Sequence, residues 1–164
     1  MNKLHDEHLP RHLPKQFHYP QTGLYEHLET SAKRYPDKVA VNYYGSQVSY
    51  ATLNKRVKRF AGYLQQQAHV EPGDRVLLCM QNSVAFIVAY YAILRCDAVV
   101  VPINPMNKAL ELEWYVTDTE SKVVVVGSEL VAEFEKLIDT TCLEKIIAAR
   151  YSDDLFTHTN FVIP

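Results

Sequence analysis

Apolar residues along this 164-residue chain recur with two different periods, and the period switches from segment to segment. Leu24, Leu28, Ala32 and Tyr35 fall at helical spacing, with Thr22 placed to cap the helix start and Pro36 to stop it. Val39–Tyr43 and Gln47–Tyr50 are strand-like. Tyr44–Gly45–Ser46 supplies a turn between them, so a β-hairpin is predicted. Leu53, Val57, Phe60, Ala61 and Leu64 then form one stripe of a helix whose other side carries Lys55, Arg56, Lys58 and Arg59. A turn at Pro72–Gly73 closes that region.

The remainder alternates. Val76–Met80, Ala98–Val101 and Val123–Val126 are short apolar runs that read as buried strands, and Ile146–Ala148 reads as a fourth strand. Helices are predicted from Val84 to Leu94 with Ser83 as cap, from Asn107 or Lys108 to Asp118, and from a Ser128 cap to Ile138. The first of these is apolar almost all round, which predicts a helix sandwiched between layers. Short β-branched runs alternating with helices imply parallel strands joined by right-handed crossovers. The fold class is α/β: a mostly parallel sheet flanked by helices, with a small β-hairpin at one side. Residues 1–21 form a polar arm and residues 22–150 the α/β unit. Residues 151–164 read as a linker or the start of a following segment, polar at first and ending on Phe161–Val162–Ile163.

Charge changes this picture little. The net charge of −2 argues against a general nucleic-acid binder. It is divided unevenly: residues 1–95 hold 12 Lys/Arg and 7 Asp/Glu, whereas residues 96–164 hold 5 and 12. Such polarity suits a surface that faces another domain, and equally an uneven spread without functional meaning. Cys79, Cys96 and Cys142 are widely spaced, without a C-x-x-C pair, which points away from disulfides and zinc and toward a reducing cytoplasm. Charges at Lys3, Asp6, Glu7, Arg11 and Lys15 exclude a signal-peptide core. Val84–Leu94 falls short of the roughly 20 residues that span a bilayer. His5, His8 and His12 have the spacing of a helical metal site, but Pro10 breaks that helix, and a solvated arm is the better reading.

Several familiar chemistries have no footing here. The five glycines form neither G-x-G-x-x-G nor a phosphate-binding P-loop, and no Ser lies in a G-x-S-x-G elbow. Val126–Gly127–Ser128 is a strand-to-helix turn with the form of an anion site, though an ordinary helix cap explains it as well. The basic face Lys55, Arg56, Lys58, Arg59 would suit a polyphosphate, against the simpler reading of a solvated helix face. Trp114 and Tyr115 read as core aromatics, with an acyl pocket as the alternative.

One ordered series of short segments says more. Pro36–Asp37–Lys38–Val39–Ala40–Val41, Ser49–Tyr50–Ala51–Thr52–Leu53, Pro72–Gly73–Asp74–Arg75–Val76, Gln81–Asn82–Ser83 and Ala98–Val99–Val100–Val101–Pro102–Ile103–Asn104–Pro105 follow one another in fixed order. Together they resemble the opening of the AMP-forming acyl- and aryl-CoA synthetases, a superfamily that includes luciferases and peptide-synthetase adenylation domains. Departures from that pattern are specific. Thr52 replaces a Glu that would complete a helix capping box. Gln81 stands for Pro, and Asp97 stands for a Gly, where a positive φ would be tolerated by Asp at some cost.

The resemblance implies that the chain is a partial N-terminal subdomain of a larger ligase. A carboxylate is a poor electrophile, and such enzymes transfer AMP to it from ATP, releasing pyrophosphate; coenzyme A thiol then displaces AMP. ATP, Mg and coenzyme A are thus implied for a full-length parent, with none expected on this chain alone. A fatty acid is the implied substrate, with an aryl acid, an adenylation domain or a non-catalytic interaction module as alternatives. The phosphate-gripping loop and the catalytic Lys of such ligases lie downstream of the matching segments, so no catalytic residue is named and no cofactor-binding or metal residue is assigned. Asn82 and Asn104 follow strand C-termini, the edge where α/β sheets bind ligands, and are the substrate-side candidates; turn roles compete. The partners implied are the remainder of the ligase chain and, through surface that it would cover, a second copy by self-association.

Overall fold

The computed structural model describes residues 19–155, together with His8 and Pro10. His5, His12 and Phe161–Ile163 lie outside the described residues.

The chain opens with helix α1 (Leu24–Arg34). Its cap is Gly23 rather than Thr22: the Gly23 N–H donates to Glu26 Oε2 at 3.0 Å. The buried face is Tyr25, Leu28 and Ala32, while Leu24 is exposed. Strands β1 (Val39–Tyr43) and β2 (Ser46–Ser49) form the expected hairpin, with Tyr43 opposite Ser46. Tyr44 and Gly45 both take positive φ, 48° and 86°, the two-residue turn whose twist suits a hairpin.

Helix α2 (Tyr50–Gln66) begins on Ser49, whose Oγ accepts from the Thr52 N–H at 3.3 Å. Thr52 cannot reach back as Glu would, and its hydroxyl instead bonds Ser49 Oγ at 3.2 Å. The stripe Leu53, Val57, Ala61 and Leu64 is buried. The helix ends where His69 turns left-handed, φ 56°, and the Val70 N–H reaches the Leu64 carbonyl at 2.9 Å.

Strand β3 (Arg75–Cys79), helix α3 (Val84–Arg95), strand β4 (Val99–Pro102), helix α4 (Ala109–Thr119) and strand β5 (Val123–Gly127) follow. A 3₁₀ turn at Ser128–Leu130 leads to a short helix α5 (Val131–Glu135), then strand β6 (Lys145–Ala149) and a second 3₁₀ turn at Tyr151–Asp154. The helix expected from a Ser128 cap to Ile138 is therefore broken. Ser128 makes no side-chain cap, and the α-helical part is five residues long.

The four long-range strands are parallel in the order β4-β3-β5-β6. Alternate residues of β3 and β5 feed two cores, as the period of two requires. Val76, Leu78, Val123 and Val125 join α1, α2 and α3. Leu77, Cys79, Val124 and Val126 join Leu112 and Val116 of α4 and Phe134 of α5. β4 was expected to be a buried strand; it is an edge strand, with Val99 48% exposed. α3 matches expectation: Ser83 Oγ accepts from the Phe86 N–H at 3.1 Å, and Val84, Val88, Ala89, Ala92 and Ile93 are buried. Asp97, just past its end, takes φ 56°.

The residues after β6 do not leave the domain at once. Where polar composition pointed to a linker, Tyr151 and Asp154 are buried. Asp154 pairs with Arg56 of α2.

Candidate functional site

The strand order places a topological switch between β3 and β5. From β3 the chain crosses by α3 to β4 on one side, then returns by α4 to β5 on the other. The loops leaving the C-terminal ends of β3 and β5 therefore part, and open α/β sheets bind ligands in the crevice so formed.

Three loops meet there. After β3 comes Gln81–Asn82–Ser83, after β5 Gly127–Ser128–Glu129, and after β6 Tyr151. Tyr151 is fully buried, and its hydroxyl links the other two loops. It accepts from the Gln81 N–H at 2.9 Å and donates to Glu129 Oε1 at 2.7 Å. Burial holds the phenol far above its ordinary pKa; the Gln81 N–H opposes that shift and Glu129 adds to it. Tyr151 thus stays a neutral donor, a clamp on the loops and not an acid or base. Gly127 lies close beneath it: a Cβ there would meet the Tyr151 hydroxyl and the Glu129 carboxylate, and those side-chain ends would have to shift.

Asn82 is exposed in the β3 loop at this switch point. Asn104 is exposed after β4, one strand away from it. Asn104 Oδ1 accepts from the Met106 N–H at 2.9 Å, so part of its capacity holds its own turn. Sequence reasoning missed Tyr151 and Glu129. Neither lies in a recognisable motif, and their meeting depends on β5 and β6 being neighbours.

The edge is acceptor-rich. The Glu129 carboxylate lies close beside Gly127, and its charge opposes the anion-site reading of the Gly127–Ser128 turn. Cys79 lies under the same edge, but burial, with the charge of Glu129 adding to it, pushes its thiol up to about 12, so it is no nucleophile at neutral pH. Among the described residues no group of three His, Cys, Asp or Glu is placed to hold a metal ion. The basic face is half committed: Lys58 pairs with Glu29 at 2.9 Å and Arg56 with Asp154. The residues described do not fit an ATP–Mg phosphate site. Trp114, read as core, is 59% exposed. At the opposite, N-terminal edge of the sheet a cavity of about 310 Å³ is lined by Asp74, Arg75, Glu120 and Lys122. Arg75 there is bound to Glu120 at 2.9 Å and Lys122 to Glu144 at 3.2 Å.

A switched parallel sheet flanked by helices, with no catalytic cluster among the described residues, defines an open α/β domain. The sequence places it further: residues 28–159 match the AMP-binding enzyme family, and the chain belongs to that family. It is 34% identical over 141 residues to the long-chain-fatty-acid–CoA ligase of Escherichia coli, covering 86% of this chain and 25% of that protein. The corresponding ligase of Haemophilus influenzae is 29% identical over 171 residues, covering 99% of this chain and 30% of that protein. A solved long-chain-fatty-acid–CoA ligase from Archaeoglobus fulgidus superposes with a TM-score of 0.74 at 25% identity, over 84% of this chain and 30% of that one. The chain thus spans about a quarter to a third of the length of these relatives.

Proposed function

We propose that this chain is the N-terminal scaffold of an ATP-dependent, AMP-forming fatty acid–CoA ligase and that it does not catalyse ligation alone. The observation that carries the reading is the 34% identity to a long-chain-fatty-acid–CoA ligase across 86% of the chain. A fatty acid is preferred over an aryl acid because curated relatives 33–34% identical over 86% of the chain are long-chain-fatty-acid–CoA ligases by name.

Activation of a carboxylate by ATP, and its capture by the thiol of coenzyme A, needs concentrated positive charge on the phosphates. Such charge has to come from other parts of a whole ligase. This domain supplies a rigid edge: residues 22–150 set the strand ends, Tyr151 locks the loops, and Asn82 and Asn104 offer amides toward the carboxylate substrate. Free thiols, two of them buried, fit a reducing compartment such as the cytoplasm. Among the described residues no helix is long and apolar enough to cross a membrane.

Two measurements test the reading. The chain alone, with ATP–Mg, palmitate and coenzyme A, is expected to release no AMP above a heat-denatured control. Residues 22–155, put in place of the matching segment of the E. coli ligase, are expected to give a folded chimera that forms AMP with long-chain acids. A soluble, folded chimera without that activity, or turnover by the chain alone, overturns the proposal.

A further inference from the structure

Two apolar surfaces are bare among the described residues. One is a ridge, the other a groove, and their unpaired charges are opposite in sign. The ridge is on α4. Met106, in the turn before the helix, and Leu110 and Trp114 on it are spaced four apart, and they are 74%, 83% and 59% exposed. Leu112 and Val116, half a turn away, are the residues that bury against the sheet. α4 is therefore apolar on two opposite sides, and only one is covered. Glu113 and Asp118 flank the bare side and have no ion-pair partner among the described residues.

The groove lies on the opposite face of the sheet, between α2 and β6. It is a cavity of about 450 Å³ lined by Arg59, Phe60, Tyr63, Val88, Ile147 and Ala149, among others. Phe60 and Tyr63 stack with ring centroids 6.1 Å apart, and Tyr63 is 43% exposed. Arg56 at its wall is held by Asp154. Arg59, and Lys55 one turn before it, are exposed and have no ion-pair partner among the described residues. An amphipathic helix laid in an apolar groove is a common docking mode, with anchors at this spacing.

We infer that the chain associates with a second copy of itself, the Met106–Leu110–Trp114 ridge of one copy seated in the Arg59–Tyr63 groove of the next. Glu113 and Asp118 then meet Lys55 and Arg59. Ridge and groove sit on opposite faces of one sheet, so the ridge of a copy cannot reach its own groove. The contact is heterologous, and it builds chains or rings, not a closed two-fold pair. An anionic lipid surface is a poorer match for the ridge, because Glu113 and Asp118 would be repelled by it. The remainder of a longer ligase would compete for the same two surfaces, so the inference is made for the 164-residue chain.

A heterologous contact has a specific signature. Leu110→Glu destroys the ridge and keeps the groove; Arg59→Glu does the reverse. Both positions are exposed, and thermal melts matching the wild type verify folding; Trp114→Gln is the second ridge variant. In light scattering over a concentration series, the 164-residue chain is expected to gain mass with concentration. Each variant alone is expected to stay monomeric, or at least tenfold weaker in association. An equimolar mixture of the two is expected to form dimers and stop there. A wild type that is monomeric throughout overturns the inference and returns both surfaces to other segments of a longer ligase. So does assembly that survives Leu110→Glu, or a mixture of the two variants that does not dimerise.

Discussion

Helices α3 and α4 are each apolar on more than one side, and their fates differ. Every residue of α3 before Arg95 is buried or half-buried. The sheet covers one side; α1 and α2 cover the other, with Cys96 Sγ reaching the Ala61 carbonyl at 3.5 Å and Arg95 lying 4.8 Å over the Tyr25 ring. On α4 the inner side is sealed and the outer side, Leu110 and Trp114, is open. An apolar pattern records what a helix is able to bury. Whether it does depends on a second layer, which α1 and α2 provide for α3.

The comparison is broken most directly by truncation at matched positions. Ile93→Ala in α3 is expected to cost about 3–4 kcal/mol in urea melts, and Leu110→Ala on the outer side of α4 less than about 0.5 kcal/mol. Phe86→Ala, at a half-buried site of α3, should fall between, at about 2 kcal/mol. Equal losses at Ile93 and Leu110 would mean that α4 is covered after all.

The next effect tests the latch beside the α3 cover. Arg56 keeps 31% of its side chain exposed while that of Asp154 keeps 1%. Removing either partner is therefore not equivalent. Arg56→Met strands a buried carboxylate and is expected to cost about 3 kcal/mol; Asp154→Ala leaves an arginine that can turn to water, at about 1 kcal/mol. Equal costs would show that the carboxylate finds water too.

Asp97 sharpens the end of α3. Its φ of 56° favours Gly, and Asp97→Gly is expected to raise stability by about 0.5 kcal/mol in the same melts. A loss there would show that the Asp side chain earns its place.

The smallest effect is a pH dependence in the layer above α3. Hydrogen bonds from Lys58 and then Lys33 hold the Glu29 carboxyl down from its ordinary 4.5 to about 2. A lowered carboxyl stabilises the fold above its unfolded pKa, and that contribution disappears as pH falls from 4.5 through about 2. The stability difference between the wild type and Glu29→Gln should shrink across that window and, because the pair is exposed, shrink with salt as well. A difference that stays constant with pH would show that the pair does not tie α1 to α2.

Of the candidate ligand edge, little was legible beforehand. Asn82 could be placed because it follows a strong apolar run at a strand end. Tyr151 and Glu129 could not: a tyrosine in a polar stretch and a glutamate after a turn look like surface residues. What makes them a clamp is the 22-residue separation closed by β5 pairing with β6. Trp114 was misplaced for the converse reason. Its neighbours Leu112 and Val116 made it look like core, but a helix turns by about 100° per residue, and two positions along is nearly the opposite side.

By itself the sequence determined the alternation of strands and helices, the hairpin and the cap at Ser83. Those are set by nearest neighbours along the chain: period, turn chemistry and capping act over a few residues. Only the tertiary structure decided that β4 is an edge, that the switch falls between β3 and β5, that Tyr151 closes the site, and that α3 is covered where α4 is bare. Each of these depends on which strands lie side by side, and strand order is a long-range choice that no local pattern encodes.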